Sequence, residues 1–401
     1  FLLLPIFTKY LTPEDYGYIS LFTAFNAFLT PLIGLSVVGS VTREYFSLEK
    51  KEFNKLLSNA FIIYLFSIPF VSLLFLIIAG SLNIEDFPRV LLIYSLLFAV
   101  TNFVVTGLLS ILQIESKSTM YGIIQIANTV FGTALSLVLV VGYSKGWEGR
   151  VLAQNAASAS FALISVLILR KMYKFVLQVE MVYIKRILKF SLPLILHSLG
   201  AVLISLTDRY MITKMIGVED LGFYSIGFTI GSIIGFLEYA FNLAFTPWLF
   251  NELKDSKSDN KIRIVKLTYV YFVVIIFAVI ILKLSAPFLF SLLDAKFSKG
   301  LVYVPWIALS FAFSGMYKMV GNYIFYVKKT GVLALITGSC GILNIVLNVV
   351  LIRIYGAIGA AISAALVSFV FFITTWFYSY RVFSMPWFYF INKNYVGREE
   401  I

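Results

Sequence analysis

Six ionisable side chains sit inside long apolar runs of this 401-residue sequence: His197, Asp208, Arg209, Glu238, Lys283 and Lys318. A charged group in hydrocarbon costs at least about 2.5 kcal/mol, so each is expected to face protein, water or a substrate. Lys283 lies near the end of its run, where its stem can snorkel to the interface. Three of the others share a depth: Glu238 is eight residues before the end of the run 221–246, Lys318 eight before the end of 301–326, and His197 eight after the start of 189–212. At about 1.5 Å per residue they lie about 12 Å inside one face. Two chemistries suit such a layer: a buried ion pair that positions helices, or a proton-handling site that couples transport to a gradient. Asp208 and Arg209 close the run 189–212 at its other end, and adjacent helical residues point about 100° apart, so they cannot both face one cavity squarely.

Catalytic apparatus is not legible. The sequence has no phosphate-binding G-x-x-x-x-G-K-[ST] loop, no dinucleotide G-x-G-x-x-G and no H-E-x-x-H. One histidine and one cysteine, Cys340, leave no ordinary histidine metal site, Ser-His triad or internal disulfide. No metal, cofactor or covalent chemistry is expected, and a glycosyltransferase or ligase would find no outer loop long enough for a catalytic domain.

The elements that must hold these groups are membrane helices. Apolar residues make up 60% of the chain and charged residues 13%, too few charges for a water-soluble fold of this size. Twelve apolar spans are expected: 1–8, 16–40, 57–80, 89–113, 120–143, 151–170, 189–212, 221–246, 267–290, 301–326, 331–353 and 357–380, the first of them continuing from residues before Phe1. Of the 32 Lys and Arg residues, 21 fall in the loops after even-numbered spans and in the tail. The positive-inside rule then places both termini and those loops in the cytoplasm, and the net charge of +12 reads as topology rather than as a nucleic-acid footprint.

Sliding the chain on itself by 205 residues aligns Thr8-Lys9 with Thr213-Lys214, Glu14-Asp15 with Glu219-Asp220, Gly17 with Gly222 and Ser20 with Ser225. The expected fold class is therefore an all-α polytopic protein of two six-helix lobes related by a pseudo-twofold axis along the membrane normal. The lobes run 1–169 and 189–380, joined by a cytoplasmic amphipathic linker, 170–188, and followed by a cytoplasmic tail, 381–401. The segment 43–56 has a weaker amphipathic pattern. Gly356, Gly359, Ala360 and Ala361 suit close helix packing, and Pro31, Gly34, Gly231 and Gly235 suit bends.

Some stretches carry a likeness. Leu4-Pro5 with Tyr10-Leu11-Thr12-Pro13-Glu14-Asp15-Tyr16-Gly17-Tyr18, Asp208-Arg209-Tyr210 with Leu221-Gly222-Phe223-Tyr224-Ser225, and Leu347-Asn348 with Tyr355-Gly356 and Gly359-Ala360-Ala361 resemble the polysaccharide transporter family, the Wzx-type O-antigen flippases. This family lies within the multidrug/oligosaccharidyl-lipid/polysaccharide exporter superfamily. The resemblance implies alternating access around a central cavity, and passage of a polyprenyl-pyrophosphate-linked oligosaccharide from the inner to the outer leaflet of the cell membrane. It implies membrane lipids and a polysaccharide polymerase or export machinery as partners. Cationic cavity residues in the family map onto Arg209 and, less directly, Arg43, with Asp208 beside them; His197, Glu238 and Lys318 are the coupling candidates. A multidrug exporter of the same superfamily is the alternative, for which a more acidic cavity is expected.

Overall fold

The computed structural model describes residues 3–81, 88–175, 178–253, 258–327 and 329–387. They form helices α1 (Leu4–Tyr10), α2 (Pro13–Leu32), α3 (Val37–Glu44), α4 (Lys50–Ser81), α5 (Arg89–Ile114), α6 (Ser118–Leu137), α7 (Gly146–Met172), α8 (Met181–Met215), α9 (Val218–Gly231), α10 (Ile233–Glu252), α11 (Ser258–Ser291), α12 (Val304–Tyr326), α13 (Thr330–Tyr355) and α14 (Ile358–Val382). Among the described residues nine helical stretches are long and apolar enough to cross a membrane, ten if the bent pair α2 and α3 counts as one. This is an all-α, multi-pass membrane protein. Each of the twelve expected spans has a helical counterpart, with α9 and α10 together filling the span expected at 221–246.

Contacts divide the chain into two compact units, one of Ile6–Arg209 and one of Tyr210–Ile401 together with Phe1–Pro5. The border falls inside α8, whose residues up to Arg209 are bonded to α2 and α3. The core of the first unit is a seam of Val105, Leu108, Leu109 and Leu112 from α5 against Ile124 of α6 and Ala162 of α7. In the second unit α12 packs chiefly on α14, and α13 on α14.

The expected bend at Pro31 and Gly34 is a full break. Proline removes a helical N–H, and the next three residues after Ile33, Gly34, Leu35 and Ser36, take φ of +79°, +51° and +53° before α3 resumes at an angle of 52° to α2. Irregular backbone at membrane depth survives only where protein satisfies it. Gly34 N–H donates to Ser67 Oγ at 2.8 Å, and the Ser36 hydroxyl donates to the Pro31 carbonyl at 3.1 Å. Over this turn Phe103 stacks on Tyr64, centroids 4.5 Å apart. A Cβ on Gly34 would stand 2.3 Å from the Phe103 ring. Gly34→Ala is therefore expected to destabilise the protein by about 2 kcal/mol or more, the left-handed backbone alone costing an L-residue about 1–2 kcal/mol. Thermal unfolding in detergent checks this, and adding Phe103→Leu should recover the steric part only.

Gly231, at the join of α9 and α10, and Gly235 serve close approach. With Gly227 they form a four-residue ladder that meets Tyr303, Ile307 and Phe311 in turn; a Cβ on any of the three glycines would stand 2.6–2.7 Å from the facing chain. Small residues at such spacing let membrane helices touch.

The linker over 170–188 is not one amphipathic helix. α7 runs to Met172, residues 173–175 and 178–180 are non-helical, and α8 starts at Met181. Asn59 on α4 captures the non-helical stretch, donating to the Gln178 carbonyl at 3.3 Å and accepting from Glu180 N–H at 2.9 Å. Lys55 adds an ion pair to Glu180 at 2.9 Å. Beside it, burial and the Glu115 carboxylate hold the Tyr173 hydroxyl above its ordinary pKa, so it stays a donor to Glu115. The segment 43–56 likewise divides at a turn between Glu44 and Lys50. In the second unit the chain after α14 folds back so that Met385 and Trp387 are buried. The Trp387 carbonyl accepts from Tyr269 Oη at 2.8 Å, and its ring packs on Trp376 at 5.3 Å.

Candidate functional site

The second unit holds a polar seam between α10 and α12. Lys318 Nζ donates to both oxygens of Glu238, at 2.6 and 2.9 Å. Glu238 is 4% exposed, whereas the Lys318 side chain keeps 30% of its surface open. One helical turn further along both helices the seam continues in neutral groups: Asn322 Nδ2 donates to Thr246 Oγ1 at 3.2 Å, and Thr246 donates to Asn242 Oδ1 at 3.2 Å. Gly315 allows the approach, for a Cβ there would lie 2.3 Å from Tyr271 Oη and 2.9 Å from Glu238 Cβ. The depth count thus located two side chains that meet. It missed Asn242 and Asn322, although a step of four residues from Glu238 and Lys318 along the same helix face reaches both. His197 belongs to α8, but its side chain lies outside the described residues.

Among the described residues the first unit has a polar contact towards each end of α8. Near its far end Arg209 is buried, with Nη1 3.4 Å from Asp208 Oδ1 and Nε donating to Ser20 Oγ at 3.2 Å. Adjacent residues do share this site, because Asp208 reaches along its own helix and also accepts from Arg209 N–H at 2.8 Å. At the near end, α8 meets the end of α3. Arg186 pairs with Glu44, which also accepts from Ser47 Oγ at 3.0 Å, and the Arg43 guanidinium lies 4.9 Å over the Phe190 ring. Glu44 and Arg186 were not singled out from the sequence; a carboxylate at the end of an apolar run was the signal that could have found them.

A cavity of about 790 Å³ lies within the first unit. Its walls are mostly apolar (among them Val37, Val41, Phe61, Phe103 and Val104), with Arg170 and Lys174 also lining it, and none of the candidates named from the sequence line it. Among the described residues no three His, Cys, Asp or Glu side chains gather into a metal-binding group.

Among the described residues nine or ten helical stretches long enough to cross a membrane, divided between two units, define a multi-pass membrane protein. Its fold is similar to the inward-facing conformation of a multidrug resistance MATE family transporter of the MOP superfamily (TM-score 0.74, 15% identity, covering 95% of this chain and 93% of that one). It is also similar to lipid II flippase MurJ in an inward closed conformation (TM-score 0.68, 14% identity, 94% of this chain and 87% of that one). In sequence it is 28% identical over 339 residues to an uncharacterized membrane protein of Haemophilus influenzae, covering 82% of this chain and 80% of that protein. The MatE family model matches residues 193–350, and the model described as "Polysaccharide biosynthesis protein" matches residues 1–254. The chain belongs to the polysaccharide biosynthesis protein family.

Proposed function

We propose that the protein moves a polyprenyl-pyrophosphate-linked oligosaccharide from the inner to the outer leaflet of the cytoplasmic membrane by alternating access, as a transporter and not an enzyme. The observation that carries the reading is the family match over 1–254, which names polysaccharide biosynthesis; the likeness in fold to a lipid II flippase supports it. The excess of basic residues in the even-to-odd loops and tail supports cytoplasmic termini, and inward-to-outward travel with them. On this reading the polymerase or export machinery receives the flipped product, and Glu238 with Lys318 is the coupling element.

Depletion tests it. Cells lacking the protein should go on synthesising lipid-linked oligosaccharide and accumulate it on the inner leaflet, where it stays inaccessible to a glycosidase added outside spheroplasts. Loss of synthesis without build-up would return the chain to the enzyme class. The MATE likeness favours a second reading, multidrug export; it predicts that depletion lowers drug tolerance and leaves oligosaccharide distribution unchanged.

A further inference from the structure

The cavity of the first unit takes no part in the chemistry described so far, and its dimensions suit a lipid chain. Its 790 Å³ falls in the range of about 300–1,000 Å³ common to small-molecule sites. α3 lines it with Val37 and Val41, α4 with Phe61, and α5 with residues from Phe103 to Ile111. Those two positions of α5 are separated by a rise of about 12 Å, close to the ~15 Å that one leaflet takes of a ~30 Å hydrocarbon core. Arg170, in the last turn of α7, and Lys174, just beyond that helix, complete the lining. Both are exposed, so a head group can approach them from outside, and among the described residues neither has a carboxylate partner. No carboxylate lines the cavity either. Glu115, which accepts from the Tyr173 hydroxyl, is already paired with Lys117 at 2.7 Å.

We infer that the cavity holds one acyl chain of an anionic phospholipid whose phosphate rests on Arg170 and Lys174, a resident lipid and not cargo. The inference is independent of what the protein transports. Apolar walls without a partner would forfeit their dispersion contacts, which a chain supplies. A chain leaving the bilayer gains little hydrophobically, because lipid tails are as apolar as the walls. The two cations therefore decide which lipid enters, as basic pockets between membrane helices select anionic head groups. A zwitterionic head group brings its own cation against Arg170 and Lys174. A cationic drug meets two like charges and no lining carboxylate to offset them. Seated in the cavity, the chain lies against α3, the half helix beyond the Gly34 turn, which otherwise packs on α4 and α5. The lipid thus supports the broken span from the side its own helices leave open.

The test titrates the protein, purified in detergent, with phosphatidylglycerol and with phosphatidylcholine of identical chains, counting bound lipid by native mass spectrometry and following thermal unfolding. The wild type should bind one phosphatidylglycerol about tenfold more tightly than phosphatidylcholine, the scale of two basic contacts, and should unfold at a higher temperature with it. Arg170→Gln combined with Lys174→Gln should erase that preference and leave stability without lipid unchanged. Gly107 supplies the second arm. It lines the cavity, and a Cβ there would stand 4.0 Å from Val38 Cγ2, an ordinary contact. Gly107→Leu should fill the space and raise the unfolding temperature without lipid, since glycine is a poor helix former. It should also abolish the stabilisation by phosphatidylglycerol. The glutamine pair tests the head group and the leucine tests the chain, so misfolding of one variant leaves the other decisive. Equal affinity of the wild type for the two lipids, a preference that survives the glutamine pair, or full stabilisation of Gly107→Leu by phosphatidylglycerol would overturn the inference. So would displacement of phosphatidylglycerol by farnesyl diphosphate, which would give the cavity to a polyprenyl cargo.

Discussion

Lys318→Met should cost the protein about 3 kcal/mol, the lower end of what removing one member of a buried ion pair costs. The reason is the carboxylate left behind. Glu238 is buried between α10 and α12 and takes both of its short hydrogen bonds from Lys318; without them it sits desolvated and uncompensated. Glu238→Leu should cost less, because the lysine can extend towards the 30% of its surface that is already open. The double variant Glu238→Leu with Lys318→Met should recover most of the loss, since apolar replacements for both partners of a buried pair are often neutral. Unfolding midpoints of the four proteins form a double-mutant cycle that reads the coupling directly. A cycle with no coupling would show that the pair does not hold these helices. If the double variant is stable yet flips substrate independently of the proton gradient, the pair is the coupling element; if it is stable and keeps gradient dependence, it is a structural tie.

Arg209→Ala is expected to abolish transport, measured as clearance of inner-leaflet substrate per unit of protein in the membrane. The guanidinium keeps its charge in a low-dielectric site where lysine gives up its proton, and it can hold phosphate oxygens two at a time. Arg209→Lys should retain part of the activity. In this conformation Arg209 is bonded to Asp208 and Ser20, so reaching a head group requires α2 to release it. Ser20→Ala removes only the α2 side of that contact and should spare transport, or raise it. If Arg209→Ala flips normally once abundance is accounted for, the residue anchors helices and does not meet cargo.

Much of the architecture was legible because membrane helices announce themselves by length and apolarity, and because the 205-residue repeat counts them twice. Equal depth brought Glu238 and Lys318 together on paper because rise per residue is fixed. What stayed hidden depends on direction and on local backbone. Periodicity reads 33–36 as continuous helix, whereas Pro31 followed by Gly34, with Ser67 and Phe103 supplied from elsewhere, makes a left-handed turn. The amphipathic pattern of 170–188 was real, but Asn59 offers the backbone at 178 and 180 two hydrogen bonds that a helix would not accept. The contacts of Ser20 with Arg209 and of Glu44 with Arg186 span 189 and 142 positions of sequence, and no local pattern encodes such a meeting.

The folded-back stretches that fasten each unit set an order of assembly. The first unit receives its fastener, the backbone at 178–180 held by Asn59, before α9 to α14 of the second unit have been made. It can therefore close while the ribosome is still adding α9. The second unit waits for Trp387, the last described residue, to reach Tyr269 and Trp376. Until then α11 and α14 meet through Phe272, Phe372 and Trp376 without the ring of Trp387. Throughout synthesis of α9 to α14 the later half is still without the contacts of Trp387 to Tyr269 and Trp376.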